Sequence, residues 1–189
     1  MSHSQSGTLL DRAPIAQSIV AGLLAWIAGL VATVGLVAGA ESPDDPIGFG
    51  GNVFYNAHLA MSKATRSGGL SGSASDTGSM IAGSMTGLAD AVYYAVPVAV
   101  LVLVGIALGR RVRNHDPSAA AVAGGAMAGG YVLLTAVGTQ LFEASSGGGW
   151  FGMATVTVTP MLTATTIAVM GILYPVLFGG LGATIGARL

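Results

Sequence analysis

The chain has 189 residues; 52% are hydrophobic, 8% are charged, and the mean hydropathy is +0.73. About a quarter of an ordinary soluble domain is charged, so this composition excludes a water-covered globule and points to lipid as the solvent. With no cysteine and a net charge of −1, disulfides, thiolate metal sites and a Cys nucleophile are excluded, and nothing global favours nucleic acid.

Charge gaps locate the helices. No Asp, Glu, Lys or Arg occurs over 28 residues between Arg12 and Glu41, 19 between Asp90 and Arg110, 26 between Asp116 and Glu143, and 44 between Glu143 and Arg188. About 20 apolar residues cross a hydrocarbon core of roughly 30 Å. The first three gaps each fit one helix. The last fits a polar loop, "ASSGGGW", and then one helix. The expected spans are about 15–40, 89–109, 118–142 and 161–187. These runs are too long for membrane-barrel strands and do not alternate. Only helices satisfy such a backbone internally.

Residues 1–14 form a short N-terminus, and 15–189 form one membrane domain. The first span ends in Ala38-Gly39-Ala40, an A-x-A form. It is much longer than the apolar core of a signal peptide, about 7–15 residues, so a retained helix is expected. An external loop, 41–88, follows. It begins "ESPDDP", where Pro43 and Pro46 cannot continue a helix. Then comes "NVFYNAHLAMSKATR". Helical spacing puts Phe54, Ala57 and Met61 on one face and Asn52, Asn56 and Lys63 on another. The pattern predicts a short amphipathic helix, about 51–66, lying on the membrane surface, with Lys63 and Arg66 reaching lipid phosphates. Residues 67–79 contain nine Ser or Gly in thirteen and read as a flexible linker.

Basic residues favour the cytoplasmic side. Arg12, Arg110, Arg111, Arg113 and Arg188 collect at one end of the predicted bundle, against Lys63 and Arg66 at the other. The expected topology is a multi-pass cell-membrane protein with both termini cytoplasmic. Arg110, Arg111 and Arg113 are candidate anchors for lipid headgroups.

The stretch "VFYNAH" (53–58) follows the first membrane helix; a Ser/Gly-rich stretch and a second helix with a mid-span proline come next. This arrangement resembles an uncharacterised family of haloarchaeal four-helix integral membrane proteins, some loosely labelled transporters. The resemblance covers most of the chain; its specific part is residues 53–58 and the helix layout. It implies the four-helix membrane fold and brings no catalytic residues.

Small residues at spacing four form candidate packing faces: Gly35 with Gly39, Gly125 with Gly129, and Gly182 with Gly186. Pro97 and Pro175 lie mid-helix, where each removes a backbone hydrogen bond and is expected to kink its helix. Each is followed thirteen residues later by an arginine, Arg110 and Arg188, which hints at two repeated hairpins. Parallel repeats occur in transporters.

Ionisable groups near a membrane are functional candidates. Asp90 starts the second span and Glu143 ends the third; with His58 they form a possible external acidic vestibule. His3 and His115 fall on the opposite side, so no metal cluster is expected. The sequence has no G-x-S-x-G, H-E-x-x-H or phosphate-loop motif. No cofactor, catalytic residue or enzymatic activity is therefore expected. The expected fold is all-α: a bundle of four membrane helices with a short external amphipathic helix. A structural, accessory or partner-binding membrane protein leads, with a small transporter or channel component as the alternative. Expected partners are membrane lipid and a second copy or another membrane protein.

Overall fold

The computed structural model describes residues 13–40, 43–67, 73–81, 89–112, 116–147 and 155–189. In chain order its elements are α1 (Ile15–Ala40), α2 (Pro46–Ala57), β1 (Ser62–Ser67), β2 (Ala74–Gly78), α3 (Asp90–Gly109), α4 (Pro117–Gly138), β3 (Ala144–Gly147), β4 (Thr155–Pro160) and α5 (Ala164–Gly186). Helices α1, α3, α4 and α5 are long and apolar enough to cross a membrane. They lie within a few residues of the expected spans, because the charge gaps mark where a chain can enter hydrocarbon.

The four long helices run alternately up and down, and glycine sets how closely they meet. In α1, a Cβ on Gly22 would fall onto the backbone of Met127; in α4, one on Gly130 would fall onto the Ile19 carbonyl. The α3–α5 seam is built the same way from both sides. Gly105 and Gly109 of α3 face the backbone at Gly179 and Ala183, while Gly182 and Gly186 of α5 face Val102 and Ile106. Of the expected packing pairs, Gly182 and Gly186 therefore lie in a seam. Gly129 meets only the Ile19 side chain, at 3.3 Å, and Gly35, Gly39 and Gly125 face open space. Spacing four finds a face but does not say which face has a neighbour. One residue turns a helix by about 100°, so Gly124 is pressed against Gly179 while adjacent Gly125 is free.

Pro97 is buried within the α3 helix. In α5 the backbone widens to π-helix over Ile167–Leu173 and again over Pro175–Gly179. Single π-turns and bulges arise where the regular bonding ladder is interrupted, and Pro175 supplies no N–H to that ladder.

Two expectations are corrected. The fold is not all-α, because four strands form one antiparallel sheet in the order β2-β1-β4-β3. Nor does the loop helix lie on the surface. It occupies 46–57 rather than 51–66, since Pro46 starts it at a position that needs no N–H, and the Asp45 carboxylate caps it by accepting from the Gly48 N–H. Every residue from Gly50 to Ala57 is buried. The helix descends into the bundle: Gly50 abuts Val34, Gly51 abuts Phe142, and Phe54 lies edge-on to Trp26 with ring centroids 5.3 Å apart. Leu59, at φ 63°, reverses the chain into β1. Residues 62–66, expected as helix, are strand, and the expected Ser/Gly linker contains β2; residues 68–72 of that linker lie outside the described residues.

Gly182→Val or Gly105→Leu is expected to destabilise the protein by roughly 1–3 kcal/mol, as overpacking does. Gly35→Ala and Gly125→Ala are expected to be neutral or to stabilise it by about 0.5–1 kcal/mol, as replacement of a helix-interior glycine does. Thermal unfolding in detergent checks both sets.

Candidate functional site

The polar residues of α2 are where the chain departs most from a plain apolar bundle. Asn52 is fully buried. Its amide nitrogen donates to the carbonyls of Gly48 at 2.9 Å, Phe142 at 3.3 Å and Val158 at 3.3 Å. Its Oδ1 accepts from the Ser62 hydroxyl at 2.9 Å. Asn56 donates to the Ala60 carbonyl at 2.8 Å and to Ser62 Oγ at 3.1 Å, and accepts from the Met80 N–H at 2.6 Å. Two asparagines thus tie α2 to β1, β4, the turn after α4 and the end of the segment carrying β2.

The sheet they hold has two chemically different faces. Residues alternate across a strand. Register places Ser62, Ala64 and Arg66 of β1 on one face with Asp76, Val156 and Val158; Lys63, Thr65, Thr77, Thr157 and Thr159 share the other. The first face closes over α2 to form a cleft of about 330 Å³. Phe49, Met80, Val156 and Val158 give it apolar walls, and Ser62, on its floor, is hydrogen-bonded to both asparagines. Asp44, Asp76 and Arg66, all exposed, contribute charge to its lining. The size falls in the range of small-ligand clefts, about 300–1,000 Å³.

His58 ends α2 and is also fully buried. Its Nδ1 lies 2.8 Å from the Phe54 carbonyl and its Nε2 lies 2.7 Å from the Tyr131 hydroxyl. A carbonyl only accepts, so Nδ1 carries the proton and Nε2 accepts from Tyr131. The imidazole is neutral. Phe54 packs edge-on against it at 4.7 Å and Tyr174, beside the π-helical turn of α5, lies at 4.9 Å. Tyr131 is seven residues before the end of α4, which sets this pair about 10 Å below that end at 1.5 Å per residue. The arrangement holds a proton but does not pass one on, since the amide carbonyl at Nδ1 is not a proton carrier. Burial pushes the pKa of His58 down from 6.5 to about 4.

The expected vestibule is therefore not assembled as read. Asp90 and Glu143 are exposed at the ends of their helices, but His58 is enclosed. No hydrogen bond or ion pair joins the three among the described residues. Burial makes the histidine a packed helix end rather than a solvent-facing acceptor. Arg110 and Arg111 are exposed just beyond α3; Arg113 and His115 lie outside the described residues. No group of three metal-ligating side chains occurs among the described residues. The cleft is not legible from the charge gaps, which leave 143–160 as loop between two expected spans. The alternation in "TVTVTP" (155–160) was the available strand signal.

The segment behind the family resemblance, Val53–His58, is buried throughout. A family match extends over residues 1–189. The chain belongs to DUF7978, a family of unknown function. The DUF7978 match carries neither the haloarchaeal origin nor the transporter label that the resemblance implied. No curated protein and no solved structure matches the chain.

Between pH 6.5 and about 4 the unfolded chain binds a proton at His58 that the folded chain refuses. The contribution of His58 is thus complete above pH 6.5 and is lost as pH falls toward 4. The expected loss is about 3 kcal/mol. Denaturation across this window is expected to show that slope in the wild type and to lack it in His58→Gln.

Proposed function

We propose that this chain is an integral, multi-pass membrane protein of structural or partner-binding character. In this reading its sheet cap offers the cleft to a partner on the side opposite Arg110 and Arg111. The observation that carries it is the burial of α2. The helix fills the bundle beneath the sheet, and its two asparagines bind cap and bundle into one body. Ser62, Arg66, Asp44 and Asp76 line the cleft, while Ser18 and Thr33, buried in α1, bond back to the carbonyls one turn earlier at Pro14 and Gly29. The spans contribute no Asp, Glu, Lys or Arg below Asp90, which sits at a helix end. The His58–Tyr131 pair is closed at its far side by a backbone carbonyl.

The partner expected at the cleft has an apolar body, for Phe49, Met80 and the β4 valines, and polar groups that can meet the carboxylates and Arg66 at the rim. The basic residues at the other end support placing both termini in the cytoplasm.

A second reading, a small transporter or channel component, draws on one observation. Tyr174 touches His58 where α5 is π-helical on both sides, and π-turns often mark functional sites.

Flux separates the two. Purified protein in liposomes with an internal pH dye is expected to leave imposed proton and cation gradients decaying as in empty liposomes. Decay above that level, abolished by His58→Phe, would transfer the site to a permeation path.

A further inference from the structure

A second concavity lies at the opposite end of the bundle, between α1 and α3. It encloses about 470 Å³. Glycine seams join α1 to α4 and α3 to α5, whereas among the described residues no glycine brings α1 and α3 into backbone contact, and a groove lies between them. Val20 and Leu24 line it from α1, and Val104 and Ala107 from α3. Gln17 and Arg111 also line it. Gln17 lies in the first turn of α1 and Arg111 two residues past the end of α3, so both mark the groove's outer end. Polarity thus changes along the groove from apolar within the spans to a guanidinium and an amide at the helix ends.

That gradient is the gradient of a phospholipid. We infer that the groove binds one anionic phospholipid of the leaflet on the arginine side, with an acyl chain along Val20, Leu24 and Val104 and the phosphate at Arg111. The guanidinium is exposed and no carboxylate pairs with it among the described residues. Its planar fork fits phosphate oxygens. Val20 and Leu24 are 53% and 59% exposed, as a lipid-facing wall of a span would be. The site rests on the membrane reading of the helices but not on the cleft or on its partner.

The test is native mass spectrometry of the full chain from detergent, titrated with phosphatidylglycerol or phosphatidylcholine of identical acyl chains. One phosphatidylglycerol per chain is expected to be retained, about fivefold over phosphatidylcholine, the preference that one interfacial basic residue confers. Arg111→Gln is expected to bring the two lipids to parity, whereas Arg110→Gln, one residue away and outside the groove lining, leaves the preference intact. A groove-filling pair, Ala16→Leu with Ala107→Leu, is expected to lose both lipids while its helical circular dichroism is unchanged. Millimolar inorganic phosphate is expected not to displace the lipid. Four results would overturn the assignment: equal retention of the two lipids by the wild type, equal loss in both arginine variants, displacement by phosphate, or a dimer that the groove-filling pair dissociates. Sedimentation with membranes after an alkaline wash tests the membrane reading separately.

Discussion

The buried amide of Asn52 is the joint on which this architecture depends. An amide taken out of water without partners costs several kcal/mol in an apolar medium, so it stays buried only where carbonyls surround it. Here they come from three places: its own helix at Gly48, the turn after α4 at Phe142, and β4 at Val158. Ser62 adds the fourth connection, from β1. One side chain therefore fixes the height of α2, the position of the sheet and the turn that leaves α4. Asn56 repeats the arrangement one turn later and reaches the backbone at Met80. With both asparagines satisfied, α2 can be buried on all sides from Gly50 to Ala57, with Phe54 packed on Trp26 of α1 and the Tyr55 hydroxyl donating to the Thr135 carbonyl of α4.

This explains why the bundle has two unlike ends. On the sheet side, α2 separates the tops of the long helices and carries a cap whose inner face closes a cleft. On the arginine side no further element intervenes among the described residues, and the helices meet wherever glycine allows backbone contact. Where no glycine seam exists, between α1 and α3, a groove remains. The packing that lends rigidity and the concavities that offer binding thus follow from the same distribution of small side chains.

The four long apolar helices were legible in the sequence because exclusion of charge from apolar surroundings is a strong and local signal. The role of α2 was not, and particular residues show why. Pro46 was read as a helix breaker, although at the first helical position it begins one. Asn52 and Asn56 were read as a wet face, although their partners lie as far away as Phe142 and Val158 and only the folded chain brings them together. His58 looked like a solvent-facing titratable group for the same reason: Tyr131 is 73 residues distant. The sheet was hidden by separation too, since Ser62 pairs with Pro160, although the Thr/Val alternation of β4 was visible. The glycine faces show a subtler limit. Gly124 and Gly125 are equally small, and only the helix crossing decides which of them is pressed against α5.

The central claim, that α2 is enclosed within the bundle, is tested most directly by accessibility. The chain has no cysteine, so single substitutions report without background. Val53→Cys, Tyr55→Cys and Ala57→Cys, which leave both asparagines in place, would be reconstituted into vesicles and exposed to a maleimide that does not cross membranes. Lys63→Cys and Thr77→Cys would serve as exposed controls, and every sample would be relabelled after denaturation. The account predicts that all three helix positions are protected and both controls react. Reaction at 55 with protection at 57 would mean a helix lying on the membrane surface, and would contradict it.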